Sequence, residues 1–369
     1  MMAYGLLGLF AKLRFKAFRL MSVFLLGRTS GQSIIGQCIQ SDLEFANTEI
    51  VRDRILLRKL LSEPTVQRYN CLHVPNCWTN MYSRSTVFPG RHAYVLRDVV
   101  IGPGTGVTII PSSGYFANDG IVFLQSVGSW WYLFQYGMQE VSCRSRVIDD
   151  GDPVCPMPVF GYYHDMLESL LRVVIARRCF GAIRVLLPSR RPRYIDEMLR
   201  FIGVEANQIV FSKCPVRVKR GVLIPRWSDS GENLQNDVCA LRDELVSRLS
   251  VQDKMSTKIY ISRANSRRPL PNEVQIENTL INQGFEVVYF EDIPFVRQLE
   301  VVRGADVIVA PHGAGLANII VARKGVKVVE IMTHDWANSC YGHLAMSLGL
   351  DYTCIDASVS GLADLLKDL

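Results

Sequence analysis

The segment from Asp306 to Asn318 reads DVIVAPHGAGLAN and decides the fold of the second half of the chain. It opens with a short β-branched apolar run, which is typical of a strand buried on both faces of a parallel sheet. Pro311 then ends the hydrogen-bonding ladder. Gly313 and Gly315 allow the backbone to turn closely, and a helix can continue from Leu316. The segment therefore predicts a strand, a glycine turn and the start of a helix.

This turn has the geometry of an anion site. The first amides of a helix lack intrahelical partners and lie at the positive end of the helix dipole, so they can donate to phosphate oxygens. The backbone amides expected to serve are those of Gly313, Ala314, Gly315 and Leu316. His312 adds a side-chain donor, and Glu330 ends the next strand, where an acid commonly accepts hydrogen bonds from ribose hydroxyls. Together these residues indicate a nucleotide diphosphate site.

Two other interpretations of the segment stay open. A strand followed by a glycine turn and a helix is also the ordinary joint of an α/β domain. Dinucleotide binding is the sharper rival, because the stretch Gly313 to Asn318 misses the G-x-G-x-x-G/A fingerprint only at its last position. Asn318 is larger than the residue that permits close packing of helix on strand, which counts against dinucleotide binding.

Several separate stretches resemble family 61 glycosyltransferases. The run KIYISR at 258–263 resembles the family's strand ending in Ser-Arg, and the HGAG stretch resembles its signature. Further residues that resemble the family pattern are Arg267, Arg268, Asn272, Glu273, Gln298 and Glu330. Upstream, YYHDMLE at 162–168 is similar to the family's Tyr-His-Trp helix, with Asp165 and Met166 in place of the usual tryptophan neighbourhood.

The resemblance implies an inverting glycosyltransferase that moves a sugar from a nucleotide diphosphate sugar, with a UDP-sugar as the first expectation. The acceptor would be a glycan or a lipid-linked glycan, in surface or capsular polysaccharide synthesis. No cofactor or metal is expected to be obligatory, because a helix terminus and arginines can serve the diphosphate. We interpret the acidic pair Asp150 and Asp152 as a turn before Pro153.

On the donor side, Arg263 is expected at the carboxyl edge of the sheet beside His312. Arg267 and Arg268 would add bidentate phosphate contacts, or lie on a solvated loop. Asn318 either bonds the donor or holds its own turn.

On the acceptor side, His164, Asp165 and Glu168 are the candidate catalytic residues. Positions 164 and 168 are four apart, so both project from one helical face, where the carboxylate can orient the imidazole as a general base. A structural role of His164 at the lobe interface is the equal alternative.

Length and composition set the domain plan. At 369 residues the chain exceeds the roughly 250–300 at which single cores stop growing, and its 49% hydrophobic and 21% charged content excludes a disordered chain. We predict an α/β fold of two Rossmann-like lobes that face a cleft in a GT-B-like manner. Residues 29–230 would form the acceptor-side lobe, and 231–369 the nucleotide-sugar lobe.

The excess of basic charge lies in residues 1–41, which we call the leader. Residues 1–41 contain five basic residues and no acid, which leaves 36 basic against 35 acidic residues elsewhere. Residues 1–28 predict an apolar helix with a cationic stripe, too short to span a membrane but suited to a membrane interface. The ten cysteines show no paired zinc spacing and favour reduced thiols. We therefore expect a cytoplasmic protein, peripheral on the inner face of the cell membrane, without a nucleic-acid partner.

Two rival functions stay open. One is an NAD-dependent oxidoreductase, which would bind NADH in preference to UDP. The other is a non-catalytic, membrane-bound assembly factor with a degenerate pocket, which would bind a donor without turnover.

Overall fold

The computed structural model covers most of the chain beyond the leader. The residues it describes are 55–63, 65–69, 73–75, 78–88, 91–106, 108–110, 115–117, 146–149, 151–224, 231–232, 234–250, 257–333 and 337–357. The predicted interfacial helix at 1–28 and Asp150 lie outside the described residues. No helix in the described ranges is both long and apolar enough to cross a membrane.

The strands of these ranges, in chain order, are β1 (Ile55–Ser62), β2 (Thr65–Tyr69), β3 (Arg84–Phe88), β4 (Arg91–Ile101), β5 (Thr108–Ile110), β6 (Tyr115–Ala117), β7 (Arg146–Ile148), β8 (Val154–Pro156), β9 (Arg184–Pro188), β10 (Ile209–Ser212), β11 (Val216–Leu223), β12 (Thr257–Ser262), β13 (Phe285–Tyr289), β14 (Ala305–Pro311), β15 (Lys327–Met332) and β16 (Asp351–Asp356).

The α-helices are α1 (Thr79–Tyr82), α2 (Tyr162–His164, continued by the π-helical segment Asp165–Leu170 and by Leu171–Phe180), α3 (Arg193–Phe201), α4 (Gln235–Val246), α5 (Glu273–Ile281), α6 (Phe295–Gly304) and α7 (Cys340–Leu348). Short 3-10 helices cover Ala206–Gln208, Phe290–Asp292 and Ala314–Val321.

The second sheet is parallel, as its apolar runs predict. Its strand order is β13-β12-β14-β15-β16, and every neighbouring pair is parallel. Strands β12 and β14 are neighbours although β13 lies between them in sequence, so the chain leaves β12 towards one edge and continues from β14 towards the other. Such a switch point opens a crevice at the carboxyl ends of the two strands, where ligands of open α/β sheets bind.

The first sheet is mixed, which corrects the expectation of a simple Rossmann-like lobe. Strands β10, β9, β8 and β11 are parallel neighbours, in line with the predicted alternation of strands and helices. Strands β4, β5, β6 and β1 add an antiparallel half. The glycine-rich connections between β4, β5 and β6 are too short for the crossover that parallel strands require.

Helices from both sheets meet in one layer between them. Helix α2 packs on α4, α3 packs on α6, and α4 also contacts α7 and the 3-10 helix Ala314–Val321. The rings of Phe201 and Phe295 meet edge to face at 5.9 Å between centroids. One buried apolar cluster includes Val95 of the first sheet and Ile308 of the second, so the two cores are continuous. The cleft between GT-B-like lobes, and the division at residue 230, stay predictions.

Strands β2 and β3 and helix α1, all within residues 65–88, form a segment that docks on the second sheet. Strands β2 and β3 form an antiparallel pair, and His73 bridges to Thr353 of β16. Tyr82, at the end of α1, is completely buried. Its ring packs against helix α7 at Gly342, which has no side chain. A Cβ atom at this position would lie 2.3 Å from Cε1 of Tyr82, too close for both to fit.

We expect Gly342→Ala to destabilise the protein by about 1–3 kcal/mol, because the added methyl group overpacks the Tyr82 ring. A loss of stability would point to this overpacking, because helix propensity alone favours alanine over glycine by roughly 1 kcal/mol. Denaturant unfolding measures the change. Gly304→Ala is the matched control, because a Cβ atom there meets no atom within 4 Å. A more stable Gly342→Ala protein would contradict the packing described for Tyr82.

Candidate functional site

The carboxyl ends of β12 and β14 bring two predicted donor-side residues together. Arg263 follows β12, and His312 follows β14. Nη1 of Arg263 donates a hydrogen bond to the backbone oxygen of His312. A Cβ atom at Gly313 would lie 2.9 Å from the Cδ, Nε and Cζ atoms of Arg263, so the missing side chain lets the arginine lie across the turn. The expectation that Arg263 and His312 share this edge is confirmed.

A buried carboxylate holds the backbone around Arg263. Glu273 accepts hydrogen bonds from the amides of Arg263 at 2.8 Å and Leu270 at 2.9 Å, and from the hydroxyl of Tyr260 at 2.8 Å. It thereby closes the loop between β12 and α5. Asn272 stands at the N-cap position of α5, but its side chain makes no capping hydrogen bond.

The loop also carries Arg267 and Arg268, and both side chains are exposed. Burial lowers the pKa of Arg263, and the positive charge of Arg268 lowers it further. An anion bound beside Arg263 would offset this repulsion.

The glycine turn leads into a 3-10 helix, Ala314–Val321. This helix begins two residues before Leu316, where the sequence predicts the start of a helix. Asn318 is completely buried, and its Nδ2 donates to the oxygen of Gly315 at 3.1 Å and to Oε1 of Gln298 at 3.1 Å. Of the two roles predicted for Asn318, these contacts support holding the turn.

Tyr162 ties helix α2 to this turn. Its hydroxyl donates to Oδ1 of Asn318 at 2.7 Å and lies 2.9 Å from Oε1 of Gln298. Burial raises the pKa of Tyr162, so the hydroxyl stays protonated as a donor. Sequence reasoning missed this contact, although Tyr162 opens the stretch that carries the upstream resemblance.

Glu330 supports His312 from inside the sheet. The carboxylate is completely buried, and its Oε1 lies 2.5 Å from Nδ1 of His312. Its Oε2 accepts a hydrogen bond from the hydroxyl of Tyr352. Since both oxygens have protein partners behind the turn, the geometry favours orientation of the imidazole over the predicted contact with a ribose.

The predicted acceptor-side pair forms as expected. Nδ1 of His164 lies 3.1 Å from Oε1 of Glu168, and their side chains are 19% and 14% exposed. The neighbouring ring of Tyr163 meets Tyr341 edge to face, and Tyr341 lies 5.2 Å from the ring of His312. Two histidine–glutamate pairs are thus linked through buried aromatic rings.

Asp165 has a different position from that of a general base. It is completely buried, and its carboxylate accepts hydrogen bonds from the amides of Phe160 at 2.7 Å and Gly161 at 3.2 Å and from the hydroxyl of Tyr194 at 2.7 Å. Burial raises its pKa, and the bond from Tyr194 opposes that change. The structure does not support Asp165 as a catalytic base, because the side chain is enclosed and its carboxylate holds the start of α2.

We expect Asp165→Ala to lower the free energy of unfolding by about 1–3 kcal/mol, because two partly buried amide donors and the hydroxyl of Tyr194 lose their acceptor. Asp152→Ala, at an exposed position, is the control and should stay within about 0.5 kcal/mol of wild type. Denaturant titration compares the two. Equal stability of both variants would contradict the structural role of Asp165.

A cavity of about 540 Å³ lies at the same crevice. Its size falls in the usual range for small-molecule pockets, roughly 300–1,000 Å³. Residues from both halves of the described structure line it, among them Tyr194, Glu197, Ile261, Arg263, Phe290 and Gly315. Sequence reasoning missed Tyr194, Glu197 and Phe290, because none of them stands in a motif.

The described ranges contain free thiols but no metal-binding cluster. There, no group of three or more His, Cys, Asp or Glu side chains is placed to hold a metal ion. The cysteines described, at 155, 179, 214, 239, 340 and 354, are free thiols.

The stretch that carries most of these residues matches a family of known proteins. Residues 162–329 match the family model described as Glycosyltransferase 61, a span that runs from Tyr162 through the glycine turn to β15. This part of the chain is similar to glycosyltransferases of that family, and the resemblance noted in the sequence is confirmed.

Two curated relatives are similar to the chain. A beta-1,2-xylosyltransferase of Oryza sativa subsp. japonica is 25% identical over 264 residues, covering 58% of this chain and 45% of the relative. An EGF domain-specific O-linked N-acetylglucosamine transferase of Drosophila melanogaster is 31% identical over 96 residues, covering 25% of this chain and 18% of the relative. The chain thus spans less than half the length of these relatives.

Proposed function

We propose that the protein transfers a sugar from a nucleotide diphosphate sugar to a glycan or lipid-linked acceptor, with inversion at the anomeric carbon. The observation that carries the proposal is the position of Arg263 across the Gly313 turn, at the switch point between β12 and β14. An arginine and helix-terminal amides at one point are suited to a leaving diphosphate, whose charge grows in the transition state.

The diphosphate, the nucleoside and the sugar of the proposed donor can each be assigned a position in the crevice. The diphosphate would lie against Arg263, His312 and the amides that begin the 3-10 helix. The nucleoside would enter the adjoining cavity, where Ile261 and Phe290 offer apolar contact for a base. The sugar would then face helix α2, which packs on the same 3-10 helix. This arrangement across two sheets supports a GT-B-like enzyme.

The proposed base is His164, oriented by Glu168. Inversion by direct displacement needs one general base to take the proton of the acceptor hydroxyl as it attacks. His164 is partly exposed and has its carboxylate partner in contact, whereas Asp165 is enclosed.

The relatives indicate which donors to test first. By their names, one transfers xylose and the other N-acetylglucosamine. UDP-xylose and UDP-N-acetylglucosamine are therefore our leading candidates, and protection against thermal unfolding ranks them against other nucleotide sugars.

We also propose a cytoplasmic setting at the inner face of the membrane, for surface polysaccharide synthesis. The free thiols of the described cysteines fit a reducing compartment. Release of the protein from isolated membranes by high salt, together with loss of binding on deletion of residues 1–28, would support the predicted interfacial helix.

We expect Gly313→Ala to fold normally and to lose UDP affinity by roughly 10- to 100-fold. The new methyl group would displace the flexible end of Arg263, and a hydrogen bond to a charged group contributes about that much. Isothermal titration measures the affinity, and Gly304→Ala should bind as wild type. Tight binding of NADH with no binding of UDP would replace the transferase proposal with the oxidoreductase.

We expect Glu168→Gln to lower kcat by at least about 100-fold while UDP affinity stays at the wild-type value, because the pair serves the acceptor side. Glu244→Gln is the matched control, since Glu244 also contacts a basic residue four positions later, Arg248. Wild-type turnover in Glu168→Gln would assign His164 a structural role. Donor binding without turnover in the wild type would favour the assembly factor.

A further inference from the structure

A line of buried polar side chains leads from the docked N-terminal segment to His312. The hydroxyl of Tyr82 lies 3.0 Å from the hydroxyl of Tyr352. Tyr352 donates to Oε2 of Glu330, and Oε1 of Glu330 lies 2.5 Å from Nδ1 of His312. Tyr82 and Glu330 are completely buried, and Tyr352 is 4% exposed.

The chemistry of these groups determines which atom donates and which accepts in each hydrogen bond. An ionised carboxylate only accepts hydrogen bonds, so Glu330 takes one from Tyr352 and one from Nδ1 of His312. The imidazole is then fixed in orientation, and Nε2 is the ring nitrogen left for a ligand. Burial raises the pKa of both Tyr82 and Tyr352, so both hydroxyls keep their protons.

Packing alone does not account for the two hydroxyl groups. A phenylalanine would fill the same space at either position, and a buried hydroxyl is costly unless it is hydrogen-bonded. Helix α7 leaves room for both rings at Gly342, where a Cβ atom would meet Tyr82 at 2.3 Å and Tyr352 at 3.1 Å.

We propose that Tyr352 and Tyr82 are positioning residues for His312, which they hold through Glu330 so that Nε2 meets the diphosphate of the donor. The contact with a diphosphate rests on the proposed function. The orientation of His312 by the two tyrosines does not. Through this line, the segment docked on β16 becomes part of the donor site.

The test compares Tyr352→Phe and Tyr82→Phe with Tyr69→Phe. Tyr69 lies on the same docked segment, is equally buried, and its hydroxyl accepts a hydrogen bond from Nε2 of Gln67 at 2.7 Å. The ring nitrogen signals of His312 in ¹⁵N NMR report its tautomer and hydrogen bonding, and His312→Gln identifies them. UDP affinity and kcat are measured on the same proteins.

We expect Tyr352→Phe to change the His312 ring signals and to lower UDP affinity about 10-fold, with the KM for the acceptor unchanged. Tyr82→Phe acts one hydrogen bond further away, and we expect about a 3-fold loss. Tyr69→Phe should leave the signals and the affinity at their wild-type values.

His312 signals in Tyr352→Phe identical to those of the wild type would overturn the proposal, whatever the thermal stability of the variant. A change of equal size in Tyr69→Phe would also overturn it, because the effect would then come from loosening of the whole segment. If the wild-type protein does not bind UDP, the proposed function fails, and the His312 signals alone decide whether the tyrosines orient the ring.

Discussion

The candidate site depends on the closeness of two parallel strand ends. Strands β12 and β14 are hydrogen-bonded neighbours, so the residues that follow them, Arg263 and His312, begin within a few ångströms of each other. The arginine can cross the turn only because Gly313 presents no Cβ atom to its side chain. A cation and a set of helix-terminal amides are therefore brought together by strand pairing, before any ligand arrives.

Buried polar side chains keep this arrangement in place. Glu273 fixes the backbone of Arg263, Asn318 holds the turn, and Glu330 contacts His312. A buried polar group is costly unless its hydrogen bonds are made, and each of these side chains has its partners in the protein. Because the partners are already ordered, a ligand would meet donors that need little reorganisation, which is what electrostatic stabilisation of a leaving group requires.

Local patterns and strand geometry were enough to predict part of the site. The spacing of four between His164 and Glu168 predicted their contact, and the parallel sheet predicted that Arg263 and His312 would share an edge. The burial of Glu330 could not be predicted, because β15 is covered on both faces and an alternating pattern carries no signal there.

Most of the features that the sequence did not predict depend on long-range contacts. Tyr82 reaches Tyr352 across 270 positions of sequence, and nothing in the local sequence around either residue specifies the other. By sequence Asp165 is a candidate catalytic residue beside His164, yet in the fold its carboxylate accepts hydrogen bonds from the hydroxyl of Tyr194 and from two backbone amides. The antiparallel half of the first sheet likewise depends on strand pairing, which periodicity does not report.

Buried contacts also determine where the acceptor side of the proposed site lies relative to the donor side. Tyr162 begins the helix that carries His164, and its hydroxyl binds Asn318 within the helix that follows the glycine turn. The next ring, Tyr163, contacts Tyr341, which in turn contacts His312. The candidate base and the donor turn are thus joined by buried contacts from adjacent residues of one helix. Their separation is set by the fold, so binding energy from the donor and acceptor is available for orienting the reacting atoms instead of for assembling the site.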